Sequence, residues 1–73
     1  MKNNFKIHYI NIGNNVKEIR LKKGWSQNEL AKRCSVNTAK ISKIENARED
    51  YMLSTLIEIA TALEVSLKDL LEQ

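Results

Sequence analysis

Thr38, Ala39, Lys40, Ser42 and Lys43 share a short stretch with two isoleucines, Ile41 and Ile44. At helical spacing the isoleucines turn inward and the other five residues are left largely exposed. The exposed set holds two ammonium groups, short side chains at its leading end and no acid. Such a face donates hydrogen bonds and attracts negative charge, and a helix needed only for packing has no use for so bare a leading end. Other chemistry is thinly represented: one histidine, His8, one cysteine, Cys34, and no paired carboxylates at a defined spacing. His8 has no second ligand or nucleophile at a recognisable spacing and reads as a solvated side chain. Cys34 falls on an apolar stripe, where a thiol behaves as a small buried hydrophobe. The expectation is a binding protein, not an enzyme, with no cofactor and no metal.

The net charge of +3 hides an uneven distribution. Up to Arg48, eleven bases stand against three acids, a net of +8; from Glu49 onward one base, Lys68, stands against six acids, a net of −5. The N-terminal two thirds therefore suits a polyanion. Seventy-three residues, 42% hydrophobic and 29% charged, suggest one ordinary globular domain. No apolar run approaches the ~18 residues of a spanning helix. MKNNFKIHYINIG lacks the uninterrupted apolar stretch of a secretory signal. A lone cysteine excludes an intramolecular disulfide, and a cytoplasmic location with no membrane partner is expected.

The elements that must hold the basic face follow in chain order. Phe5, Ile7 and Tyr9 alternate with Lys6 and His8, a period of two that makes residues 1–10 a loose arm or a strand pairing across a dimer. Residues 11–73 then form the domain. Asn11 is placed to cap a first helix over 11–23, with Ile12, Val16 and Ile19 inward and Lys22, Lys23 and Gly24 closing it. Ser26 and Glu29 have capping-box spacing, and Trp25 and Leu30 the spacing of a hydrophobic staple. They start a second helix over 26–34, whose buried stripe is Leu30, Ala31 and Cys34. Ser35-Val36-Asn37 is the turn, and Asn37 caps a third helix over 37–45. Leu53, Leu56, Ile57, Ala60 and Leu63 mark a core helix after a polar loop. Ser66 starts a short last helix with Leu67, Leu70 and Leu71 apolar and Asp69 three residues after the cap.

Gln27, Ala31, Ser35, Val36, Ile41 and Glu45 together resemble the helix-turn-helix of the phage repressor and Cro family, often called Xre-type. The flanks IGNNVKEIRLKKGWSQ and LIEIATALEVSLKDLL resemble its first, fourth and fifth helices, so the resemblance covers residues 12–71. It implies an all-α, five-helix domain that binds double-stranded operator DNA as a small transcriptional regulator, with the helix at 37–45 in the major groove. Matched by position, Thr38, Ala39 and Lys43 contact bases. Gln27, Asn37, Lys40, Ser42, Asn46 and Arg48 lie near phosphates or at the edge of the base set. The residue chemistry agrees, since a lysine donates to guanine O6 or N7 and a threonine or alanine methyl meets thymine. Arg20 and Glu45 match a pair that forms a salt bridge between the first and third helices of relatives.

Three positions depart from the pattern. Ser35 replaces a glycine and is expected to take a positive φ. Tyr51-Met52 replaces Pro-Ser at the start of the fourth helix, leaving that entrance weakly capped unless Asp50 caps it. Glu64 replaces the glycine after that helix. One short reading helix gives too little surface for strong specificity, so a homodimer is expected, with Ile59, Leu67 and Leu71 at its interface or the Phe5–Ile10 arm as the alternative. No small-molecule effector is indicated. The competing function is a protein-interaction module, an antitoxin or anti-repressor component that keeps the fold.

Overall fold

A computed structural model describes residues 2–72. Among these, a 3-10 turn at Asn3–Phe5 leads into α1 (Lys6–Lys22), followed by α2 (Gln27–Lys32), α3 (Thr38–Glu45), α4 (Leu53–Leu63) and α5 (Leu67–Leu71). The expected all-α, five-helix architecture is the one that forms. Its first element differs from expectation, because α1 begins at Lys6 and Asn11 lies inside it. Residues 6–10 are thus neither a strand nor a loose arm. Their support is remote in sequence: the Tyr9 hydroxyl donates to Asp50 Oδ1 at 2.6 Å, and the Tyr9 ring meets Tyr51 edge-on at 5.5 Å. Tyr51 is half-buried, and burial pushes its phenol up to about 12.

Local chemistry sets most of the other helix ends. Gly24, at φ +75°, follows the last turn of α1. Ser26 Oγ accepts from the Glu29 amide at 3.0 Å, but the Glu29 carboxylate turns to Arg33 at 3.0 Å and does not complete the capping box. Asn37 Oδ1 accepts from the Lys40 amide at 2.8 Å and starts α3. Ser66 and Asp69 exchange both bonds of a capping box at α5. Asp50 does not cap α4, because its carboxylate is taken by the Tyr9 hydroxyl and by the Tyr51 amide at 2.8 Å. Met52 holds the cap position with no side-chain bond. Glu64 adopts the left-handed conformation of the glycine it replaces, at φ 62°, so the chain still closes through Val65 N–H to the Ala60 carbonyl at 3.0 Å.

Val16, Leu30, Val36, Ile41, Ile44, Leu56, Ile59, Ala60, Leu63 and Leu70 form one core, with Ile12, Ile19 and Trp25 packed at its margin. The buried stripe of α4 is Leu56, Ile59, Ala60 and Leu63, spaced i, i+3, i+4 and i+7. Leu53 and Ile57 are exposed instead. This corrects the assignment of Ile59 to a dimer interface: it is fully buried in its own domain. Leu71 remains exposed and Leu67 half-buried. At the far end, Asn15 Nδ2 donates to the Leu70 carbonyl at 2.9 Å and to that of Glu72, tying α5 to α1.

Candidate nucleic-acid interface

The orientation of α3 is fixed from behind. Ile41 and Ile44 fill the core, and Glu45, beside Ile44, is buried with them. Its carboxylate takes two bonds from the Arg20 guanidinium, Nε to Oε2 at 2.7 Å and Nη2 to Oε1 at 3.0 Å. Side-chain exposures of 7% for Arg20 and 2% for Glu45 make this a buried bidentate pair. Arg20 Nη1 also donates to the Trp25 carbonyl at 2.7 Å, and Gln27 Nε2 donates to Glu45 Oε1 at 3.1 Å. The hydrogen bond to Glu45 raises the Arg20 pKa further above its ordinary value. One cluster therefore joins α1, the entry to α2 and the end of α3. Arg20 and Glu45 are interior groups, and Gln27, at the edge, has one amide N–H committed inward.

The front of α3 is open. Ala39 and Lys43 are exposed, and Thr38, Lys40 and Ser42 are half-exposed. Thr38 Oγ1 donates to Asn28 Oδ1 at 2.6 Å, which commits its hydroxyl proton. Asn37 is exposed, with Oδ1 engaged as the cap and its amide nitrogen unengaged. Past α3, Asn46 Nδ2 donates back to the Ser42 carbonyl at 2.8 Å, and exposed Arg48 donates its amide to the Lys43 carbonyl at 2.9 Å. Ala47 between them is buried at φ 54°. That left-handed residue, roughly 1–2 kcal/mol unfavourable for a side chain with a Cβ, turns the chain so that Arg48 stays beside the basic face.

A family model for helix-turn-helix proteins matches residues 16–70, which take in the end of α1, all of α2, α3 and α4 and most of α5. The chain belongs to the helix-turn-helix family. Two curated relatives of this helix-turn-helix protein stand out. Antitoxin HipB of Escherichia coli K12 is 38% identical over 56 residues, 77% of this chain and 64% of HipB. A hypothetical transcription factor of Neisseria meningitidis serogroup B is 39% identical over 57 residues, 78% of this chain and 54% of that protein. This chain thus spans less than two thirds of either relative. The crystal structure of the Neisseria factor superposes with a TM-score of 0.85 at 34% identity, covering 89% of this chain and 75% of that one. SinR, a master regulator for biofilm formation solved in complex with DNA, superposes with a TM-score of 0.78 at 32% identity, covering 84% of this chain and 98% of that one.

Within the helix-turn-helix unit, the turn is built differently from expectation. Ser35 is not among the positive-φ residues. Its amide donates to Glu58 Oε1 at 2.7 Å and its hydroxyl donates to the same oxygen, so α4 staples the turn from outside. The Ser35 hydroxyl and amide hold the Glu58 carboxyl below its ordinary value. Asn28 and Glu49 are the two residues of the face that sequence spacing does not reveal. Asn28 meets Thr38 across the turn, and Glu49 folds back from the loop onto Lys40 and Lys43. Both pairings depend on how α2, α3 and the loop cross, which no local periodicity encodes. Among the described residues, no helix is long and apolar enough to cross a membrane.

Proposed function

We propose that this protein binds double-stranded DNA in a sequence-specific manner as a small transcriptional regulator, with residues 37–45 in the major groove. The observation that carries this reading is the two-sided character of α3: its back is locked by Ile41, Ile44 and the Arg20–Glu45 pair, while its front offers Thr38, Ala39 and Lys43. A recognition helix needs both, since base readout requires a face held in register and free of its own domain. Thr38, Ala39 and Lys43 are assigned to base edges. Lys40, Asn37, Ser42, Asn46, Arg48 and Gln27 are assigned to phosphates or the margin of the base set. The protein acts by binding, in the cytoplasm, without a cofactor.

Selection of bound duplexes from a random pool tests the assignment directly, and two variants test its parts. Arg48→Ala should weaken all sequences alike and flatten the slope of log K against log salt by about 0.9, the contribution of one phosphate. Lys43→Ala should instead relax preference at one base pair, at about 1–3 kcal/mol. If both variants lose affinity equally on every duplex, α3 does not read sequence.

A homodimer reading two half-sites about 34 Å apart, or a multiple of that, supplies the remaining specificity. Leu71, 49% exposed, and half-buried Leu67 are its proposed contacts, with exposed Phe5, Ile7 and Ile10 at the start of α1 as the alternative patch. Sedimentation equilibrium at tens of micromolar should return a dimer, and Leu71→Glu should shift it to monomer. A monomeric parent binding single half-sites would refute the dimer. The similarity to antitoxin HipB favours a second reading, a component that binds a protein partner through the same fold. The basic front of α3 argues for DNA, and recovery of no enriched duplex would favour the protein partner.

A further inference from the structure

The Glu49 carboxylate meets both ammonium groups of the α3 face, Lys40 Nζ at 2.7 Å through Oε1 and Lys43 Nζ at 3.7 Å through Oε2. Its side chain is only 29% exposed. The next residue, Asp50, is anchored by the Tyr9 hydroxyl and the Tyr51 amide, which fixes the backbone from which Glu49 reaches. Lys40 and Lys43 are therefore not free cations before any partner arrives. With Glu49 between them, their corner of the face carries a net single positive charge.

We propose that Glu49 is a specificity-determining residue for DNA: it withholds Lys40 and Lys43 from the phosphates of arbitrary sequence and holds Lys43 where its N–H groups can meet a base edge. The inference rests on the DNA-reading function above. At 3.7 Å the Lys43 ammonium is held by charge and spends no donor on Glu49, so all three of its N–H groups remain for guanine O6 or N7. A tethered lysine is also less able to swing out to the nearest phosphate. Binding to random duplexes comes almost wholly from phosphate neutralisation, and a carboxylate set between two lysines opposes that term directly. On a matching sequence the base contact uses the tethered geometry and offsets the loss. Discrimination is the ratio of the two affinities, so a residue that weakens the wrong complex more than the right one raises it.

Glu49→Gln keeps the side-chain size and removes the charge. It should be compared with the parent on two duplexes, the one enriched by selection and a scrambled one of equal length and composition, over a range of salt. On the scrambled duplex, affinity should rise about three- to tenfold and the salt slope steepen by roughly 0.9, the term for one added phosphate contact. The enriched duplex should change by less, so the specificity ratio falls. Glu49→Asp, which retains the charge, should recover most of that ratio. An unchanged ratio in Glu49→Gln overturns the inference and leaves sequence reading intact. So does a ratio that drops only alongside a lowered melting temperature, equally in the Gln and Asp variants. A parent that prefers no duplex overturns the DNA-reading function itself, and the role of Glu49 with it.

Discussion

Glu45→Ala is expected to lower the stability of the domain by about 3–5 kcal/mol, the usual cost of leaving one member of a buried ion pair uncompensated. The Arg20 guanidinium has 7% side-chain exposure and, among the described residues, no other carboxylate on it, so its charge would stay in the interior without a counter-ion. Gln27 would lose its partner in the same step. A chain of this length has a total stability of roughly 4–11 kcal/mol, so the loss would remove from about a quarter to all of it. Urea denaturation followed by circular dichroism measures the loss. The double variant Arg20→Met with Glu45→Leu should recover most of it, because apolar groups of similar size often replace a buried pair with little net cost. A Glu45→Ala midpoint within about 0.5 kcal/mol of the parent, the spread of ordinary surface substitutions, would mean that Arg20 reaches solvent.

Gly13→Ala is the second large effect, and its sign opposes helix propensity. In the middle of an exposed helix this change stabilises by about 1 kcal/mol. At Gly13 the new Cβ would lie 2.5 Å from the Ile44 carbonyl oxygen and 2.7 Å from that of Glu45. Both atoms belong to backbone, so no side-chain rotation relieves the clash, and α1 and α3 must separate. Overfilling a close-packed site costs typically 1–3 kcal/mol; with backbone on the far side the net loss should be about 3 kcal/mol. Separation also loosens the Arg20–Glu45 bonds, so the affinity for an enriched duplex should fall further than the stability alone would dictate. Denaturation and duplex binding, both measured well below the variant's melting temperature, separate the two effects. A Gly13→Ala protein as stable as the parent would mean that the helices do not approach this closely.

The parts of the molecule that were legible in the sequence are those determined within a few residues. Ser26, Asn37 and Ser66 mark helix starts because a cap acts three residues away, and Ile41 and Ile44 mark the inward face of α3 because helical period is local. The front of α3 follows by subtraction. What stayed hidden is set by contacts distant in sequence. The first turns of α1 look like a strand because their anchors, Asp50 and Tyr51, lie about forty residues on. The face of α4 is ambiguous because Leu53, Ile57 and Ile59 surround a helix that is apolar on more than one side, and only the position of the core selects Ile59. Ser35 avoids a left-handed backbone because Glu58 bonds its amide and hydroxyl, and Glu49 joins the reading face only once the loop after α3 has turned at Ala47. Gly13 carries no signal in spacing at all, since its role is an absence of atoms.

On the proposed DNA-reading function, that absence would also limit how the protein could acquire a new target sequence. With α1 and α3 in backbone contact at Gly13, the reading helix has no room to roll or slide, so a different preference cannot come from re-aiming it. It must come from exchanging outward side chains on a fixed frame. Thr38 and Ala39 can be rewritten without disturbing the core. A replacement at Lys43 leaves Glu49 on that face with one cation fewer. If α3 reads DNA as proposed, positions 43 and 49 would form a two-letter unit of the recognition code, to be altered together, while Ala39 would remain a one-letter choice.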